Sequence, residues 1–222
     1  MASLDHGEIA THPALAAAIA AGLSPCRIRE VAACYDEPHR RYHARAHIRE
    51  MLDHAVGHAL PLSAAQALAV LFHDAVYVPG APRGSNELMS AQLMRVYCSA
   101  MDAPLLDLAY RIIIDTADHV ASRAESELVL DLDLMRLGAR PEDFVRYSNE
   151  VFDEQRPLIT LADDRAAREF FESRRAPFFD RLLARPRIFC LDAFRARFEA
   201  AARSNMGRVV ARFRARDSRG TA

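Results

Sequence analysis

From Pro13 to Arg214 apolar residues recur three and four positions apart with few breaks, and Val and Ile nowhere alternate with polar residues over the length of a strand. The pattern predicts an all-α protein. Pro13 opens a helix running to about Gly22, and Ser24-Pro25 reads as an N-cap followed by proline at the first helical position of a second, which stops near Asp36-Glu37-Pro38. Further helices are expected over His43–His58, Ser63–Val76, Asn86–Cys98, Ala103–Ala117, Glu125–Met135 and Pro141–Phe152, with longer ones over Asp164–Leu183 and Ala193–Arg214. The least regular stretch, "VYVPGAPRGSNE" (Val76–Glu87), is a loop by its prolines and glycines, and it follows a His-Asp pair.

A chain of 222 residues with 51 % hydrophobic content can bury one substantial core, so a single domain over residues 1–216 with a disordered tail over 217–222 is expected. A formal net charge of −1 gives no reason to expect a nucleic-acid or membrane-surface partner. The scattered Cys26, Cys34, Cys98 and Cys190 form no CxxC pair, which suits a reducing compartment. The apolar stretch Ala14–Leu23 is shorter than the roughly 20 residues that cross a bilayer and lacks a basic flank, so a soluble, cytoplasmic protein is expected.

Titratable residues interrupt runs that otherwise read as core: His47, then His73 and Asp74 in "LFHDAVY", then Asp131 and Asp133 in "LVLDLDLMRLG". Burying an imidazole or carboxylate is costly unless it is paired or bound to a metal, so interruptions on three helices point to a shared interior partner. Nitrogen and carboxylate donors together suit a divalent transition metal. Taken singly, each residue also reads as a hydrogen-bonded core group, and Asp131 as the cap of a neighbouring helix.

In chain order these residues spell H, then HD, then D, and the sequence resembles the HD superfamily of metal-dependent phosphohydrolases. The blocks "RRYHARAHI", "ALAVLFHDAVY", "SNELMSAQLM", "IIIDTADHV" and "LDLDLMRLG" resemble in particular a small bacterial family of predicted metal-dependent HD phosphohydrolases, over roughly residues 28–210. The chain departs from that family where an "IRxEY" block gives way to "VFDEQ" (Val151–Gln155), in which Glu154 alone matches. The resemblance implies an HD-domain helical bundle with a metal site between core helices, holding Mn, Fe, Ni, Zn or Co, with Mg a further candidate.

"YHARAHI" also resembles the "YHNxxHA" segment of cyclic nucleotide phosphodiesterases, helical relatives in which the second histidine binds the metal and the first donates a proton. That likeness implies His47 as ligand beside His73 and Asp74, and His43 as general acid one helical turn away on the same face. Related sequences with "DxD" imply Asp133 as the last ligand and Asp131 as a supporting or helix-start residue. Glu87 opens the helix after the irregular loop and is a candidate to hold the attacking water; it also reads as an acidic first-turn residue. His119, at a helix end, is placed to touch substrate phosphate or a second metal, and Arg41 or Arg45 to offset phosphate charge. The expected function is hydrolysis of a small-molecule phosphoester, with a nucleotide the first candidate. The alternatives are an HD-fold mixed-valent di-iron oxygenase, for which His119 is the only histidine between Asp74 and Asp133, and a non-catalytic nucleotide-binding or sensor protein.

Overall fold

The computed structural model describes the backbone of residues 7–220 and the side chains of residues 9–215, and among these residues there is no strand. The chain is all-α and divides into two compact units, one ending at Asp133 and one beginning at Leu134. Among the described residues no helix is long and apolar enough to cross a membrane.

The first unit contains the short α1 (Gly7–Ala10) and α2 (Ala16–Ala20), then α3 (Pro25–Cys34), α4 (Arg45–Gly57), α5 (Ala64–Phe72), α6 (Ser85–Tyr97), α7 (Ala103–Thr116) and α8 (Ala124–Leu134). Its centre is α5, against which α2, α3, α4, α6 and α7 all pack. A helix covered on every side has no polar face, which explains why "AAQALAVLF" is apolar all round after Gln66 and why Ala67 through Phe72 have no exposed surface. Its start is fixed by a reciprocal cap: Gln66 N donates to Ser63 Oγ (3.2 Å), and Ser63 N donates to Gln66 Oε1 (2.9 Å). Ser24 and Asp102 cap α3 and α7 in the simpler way, each with proline in the first turn.

The second unit contains α9 (Pro141–Gln155), α10 (Asp164–Leu183), the single turn α11 (Asp192–Phe194) and α12 (Ala200–Gly220). Here α12 packs on α10 and on the 3-10 turn Met135–Gly138, and Phe144, Phe179, Phe189 and Phe194 are buried. Residues 195–199 form one π-helical turn, where the Glu199 carboxylate accepts from Ile188 N and Phe189 N. The helix expected over Ala193–Arg214 is therefore broken in winding near its start. The backbone of α12 continues to Gly220, and the last two residues of the expected 217–222 tail lie outside the described residues.

Two helix ends differ from the periodicity in ways that matter for the site. The helix α4 begins at Arg45 rather than His43, because Ala44 is extended (φ −105°, ψ 173°). The helix α5 stops at Phe72 rather than Val76, so His73 and Asp74 lie in the turn beyond it.

Candidate metal centre

The side chain of Arg40 takes part in both departures. Its Nη1 donates to His43 O (3.0 Å) and Asp74 O (2.6 Å), and its Nη2 to Ala75 O (3.0 Å). In continuous helices the carbonyls of His43 and Asp74 would accept from amides four residues on, whereas that of Ala75 would meet Pro79, which has no N–H. Instead, His47 N donates to Ala44 O (2.9 Å), and Val78 N to Asn86 Oδ1 (3.0 Å). Tyr35 adds to the second break: its hydroxyl donates to Leu71 O (3.0 Å) and accepts from Asp74 N (3.3 Å).

The loop after His73-Asp74 is held along the first turns of α6. Asn86 pairs with both backbone groups of Val78, and Ser90, fully buried, with both of Val76 (Val76 N to Ser90 Oγ, 3.0 Å). Between them Tyr77 sends its carbonyl the other way, to His39 Nε2 (3.1 Å), and its ring stacks on His43 with centroids 4.1 Å apart. His43 thus sits in a bend packed on Tyr77 and Tyr42, not one turn before His47 on a shared helix face.

Four of the expected groups meet in the first unit. Nitrogens of His47 and His73 and a carboxylate oxygen of Asp133 all lie within 4.8 Å of one another. His47 Nε2 is 3.0 Å from Asp133 Oδ1, and His73 Nε2 is 3.1 Å from Asp74 Oδ2 and 3.8 Å from Asp133 Oδ1. His119 joins through the other oxygen, its Nε2 3.0 Å from Asp133 Oδ2. That contact depends on a left-handed backbone at His119 (φ 50°), in a loop pinned by Asp115 Oδ2, which accepts from Ser122 N, Ser122 Oγ and Ser126 Oγ.

The electrostatics follow from this packing. Burial pushes the carboxyls of Asp74 and Asp133 up, but adjacent imidazoles outweigh it: His73 and His43 hold Asp74, and His119 and His47 hold Asp133, well below the ordinary range. Burial pushes His73 down, yet Asp74 and Asp133 raise it to about 9. Glu87, in the first turn of α6, is pushed up by its own burial and by Asp74, while His119 and His73 oppose the shift.

His73 provides the test of fit for a metal. Its Nδ1 lies 3.0 Å from Val70 O, a carbonyl that can only accept, so this nitrogen carries the proton. The neutral ring then leaves a lone pair on Nε2, a buried atom with no hydrogen-bond partner that lies 3.1 and 3.8 Å from oxygens of Asp74 and Asp133, so that electron-rich groups crowd together and repel one another. A second proton on His73 relieves that repulsion, and so does a divalent cation. Neighbouring ligands of a six-coordinate ion with bonds of about 2.1 Å stand about 3 Å apart, close to the spacings around His73 and His47. The group fits a metal.

The remaining expected residues fall elsewhere. Arg45 is buried with its Nη2 on Ala32 O (3.2 Å) and the Asp36 carboxylate, and exposed Arg41 donates to Pro38 O (2.9 Å) and Arg40 O (3.1 Å). Arg41 is thus bonded to its own loop and Arg45 to Ala32 and Asp36 through Nη2, while Arg45 Nε and Nη1 are buried without a hydrogen-bond partner. Asp131 is fully buried in the third turn of α8, so it is not a helix-start residue. Sequence reasoning passed over Arg40 and Tyr77. Tyr77 left a signal, an aromatic four residues after His73; Arg40 left none to set it apart from Arg41. Comparison with protein-family models, with curated proteins and with solved structures gave no match.

Proposed function

We propose that this chain is a metal-dependent phosphohydrolase of the HD type. The observation that carries the reading is His73: an imidazole with its proton fixed on Nδ1 leaves a buried, unpartnered Nε2 beside two carboxylates, with a second imidazole sharing one of them. His47, His73, Asp74 and Asp133 would hold the ion, and Mn, Fe, Ni, Zn or Co suits a set of two nitrogens and two carboxylates. A bound divalent ion supplies Lewis acidity toward a phosphoryl oxygen and lowers the pKa of a bound water.

The chain's own groups divide the remaining work. Asp74 keeps its charge and orients the attacking water through a carboxylate oxygen. His43, which acts on the nearby Asp74 carboxylate, protonates the departing alkoxide. Glu87, which retains a proton more readily than an ordinary glutamate, donates a hydrogen bond at the mouth of the cluster. His119 fixes Asp133 through Oδ2 and leaves Oδ1 on the side of His47 and His73. A small phosphoester, with a nucleotide the first candidate, is the substrate class.

The test is the metal content of the purified protein followed by a panel of phosphatase and phosphodiesterase substrates with added Mn. About one ion per chain, with hydrolysis of at least one ester that is absent in Asp74→Ala, is expected. A helical Asp74→Ala protein that retains full metal, or a metal-loaded wild type inert toward the whole panel, overturns the reading.

A further inference from the structure

Arg40 is the most completely engaged cation described in the first unit. Its side chain has no exposed surface, and its guanidinium lies between the rings of Tyr35 and Tyr77, 5.0 and 5.5 Å from their centroids. Its Nε donates to Glu37 Oε2 (2.9 Å), and its remaining nitrogens serve the carbonyls of His43, Asp74 and Ala75. A guanidinium is a rigid planar fork that stays charged, whereas an ammonium is a point donor that cannot meet this spread of acceptors. The acceptors belong to two stretches far apart in sequence, the bend that carries His43 and the turn that carries His73 and Asp74.

We infer that Arg40 is a positioning residue that sets the distance between His43 and Asp74, and so between the donor of the leaving-group proton and the group that orients the water. It touches neither metal ligand side chains nor substrate. Its guanidinium bonds to backbone carbonyls hold the His43 bend against the His73-Asp74 turn, and Tyr77 fills the space between Arg40 and the His43 ring. The inference rests on the phosphohydrolase reading for its catalytic consequence, but not for the clamp itself.

The experiment compares wild type with Arg40→Lys, loaded with Mn, on an alkyl phosphoester and on a nitrophenyl ester whose leaving group departs without a proton. Arg40→Lys should retain metal and lose about 10- to 100-fold in kcat on the alkyl ester, the scale of a misplacement near 1 Å, with far less loss on the nitrophenyl ester and KM little changed. Added guanidinium should restore part of the lost rate to Arg40→Ala. Should neither variant fold, Glu37→Gln, which loosens the same guanidinium from its solvent side, should show the same leaving-group pattern at a few-fold. Equal losses on both esters, in whichever variant folds, overturn the inference.

If metal-loaded wild type hydrolyses no ester of the panel, the functional reading fails, and amide exchange judges the clamp. In Arg40→Lys, or in Glu37→Gln to a smaller degree, exchange should quicken together at Arg40 and His47 on one side and at Asp74 and Ala75 on the other. Loosening of one side alone overturns the clamp.

Discussion

Asp133 on α8 and Asp143 on α9 are both held below the ordinary carboxylate range, but by different means. Asp143 accepts from Arg146 (3.1 Å) and Arg140 (3.1 Å) in a surface network. Asp133 has a side chain only 13 % exposed, and its partners are the imidazoles of His47 and His119. Arginine never gives up its proton, so the Asp143 cluster is finished as it stands. Imidazoles exchange a proton for a metal near neutral pH, so the interior cluster stays chemically open. A depressed carboxyl alone does not mark a site; the identity of the groups that depress it does.

The comparison breaks most visibly on Asp133. Asp133→Asn should weaken metal binding by at least about 100-fold, more than the 10- to 100-fold typical of losing an outer contact, while Asp131→Asn should cost less. Titration of the metal-free variants with Mn ranks the two, and the reverse order would assign the wrong aspartate. His47→Ala should likewise lose metal.

His43→Ala comes next. It should keep its metal and lose about 10²–10⁴-fold in kcat on an alkyl phosphoester, the usual worth of a general acid, with a much smaller loss on a nitrophenyl ester. Metal content and both rates are read on the same samples. Loss of metal with activity would make His43 itself a ligand.

A subtler prediction concerns pH. His73 rises from 6.5 to about 9 in the folded, metal-free protein, so its contribution, on the order of 3 kcal/mol, is complete below pH 6.5 and vanishes as pH climbs through 9. Asp74 and Asp133 are depressed, so theirs is complete above their ordinary 3.8 and fades in acid. The metal-free protein should therefore lose Tm between pH 6.5 and 9, whereas the Mn-loaded protein should not, and the gap between the two curves should widen with pH. Parallel melting curves with and without chelator would contradict proton–metal competition at His73. The smallest effect belongs to Asp143→Asn, for which unchanged metal content and a Tm shift near the detection limit are expected, since an exposed, screened pair contributes little.

Much of the architecture is legible in the sequence because helical periodicity and caps act locally: Ser24-Pro25, Ser63 with Gln66, and Asp102 each start a helix where the pattern does. The convergence of His47, His73 and Asp133 is legible too, since each is a polar residue that an apolar helix would not otherwise tolerate. What the pattern does not reveal is where α4 begins and α5 ends, because nothing in "RRYHARAH" or "LFHDAVY" breaks helical spacing. At the end of α5, Arg40 and Tyr35 reach across more than thirty positions to carbonyls at Leu71, Asp74 and Ala75, and at the start of α4 Arg40 bonds the carbonyl of His43. For the same reason Arg40, Arg41 and Arg45 look alike in sequence, though one is a hub, one folds on its own loop and one is tied to Asp36 and Ala32.

The pairing of Asn86 and Ser90 with Val78 and Val76 works as a rack and pinion. Four residues of helix advance about 6 Å, and two residues of extended chain about 6.6 Å. The teeth therefore mesh at every second residue of the loop, and Tyr77, the intervening tooth, faces His43. One residue inserted between Val76 and Val78 would advance the rack by half a pitch. Tyr77 would then present its backbone to α6, and His43 would lose the ring on which it rests.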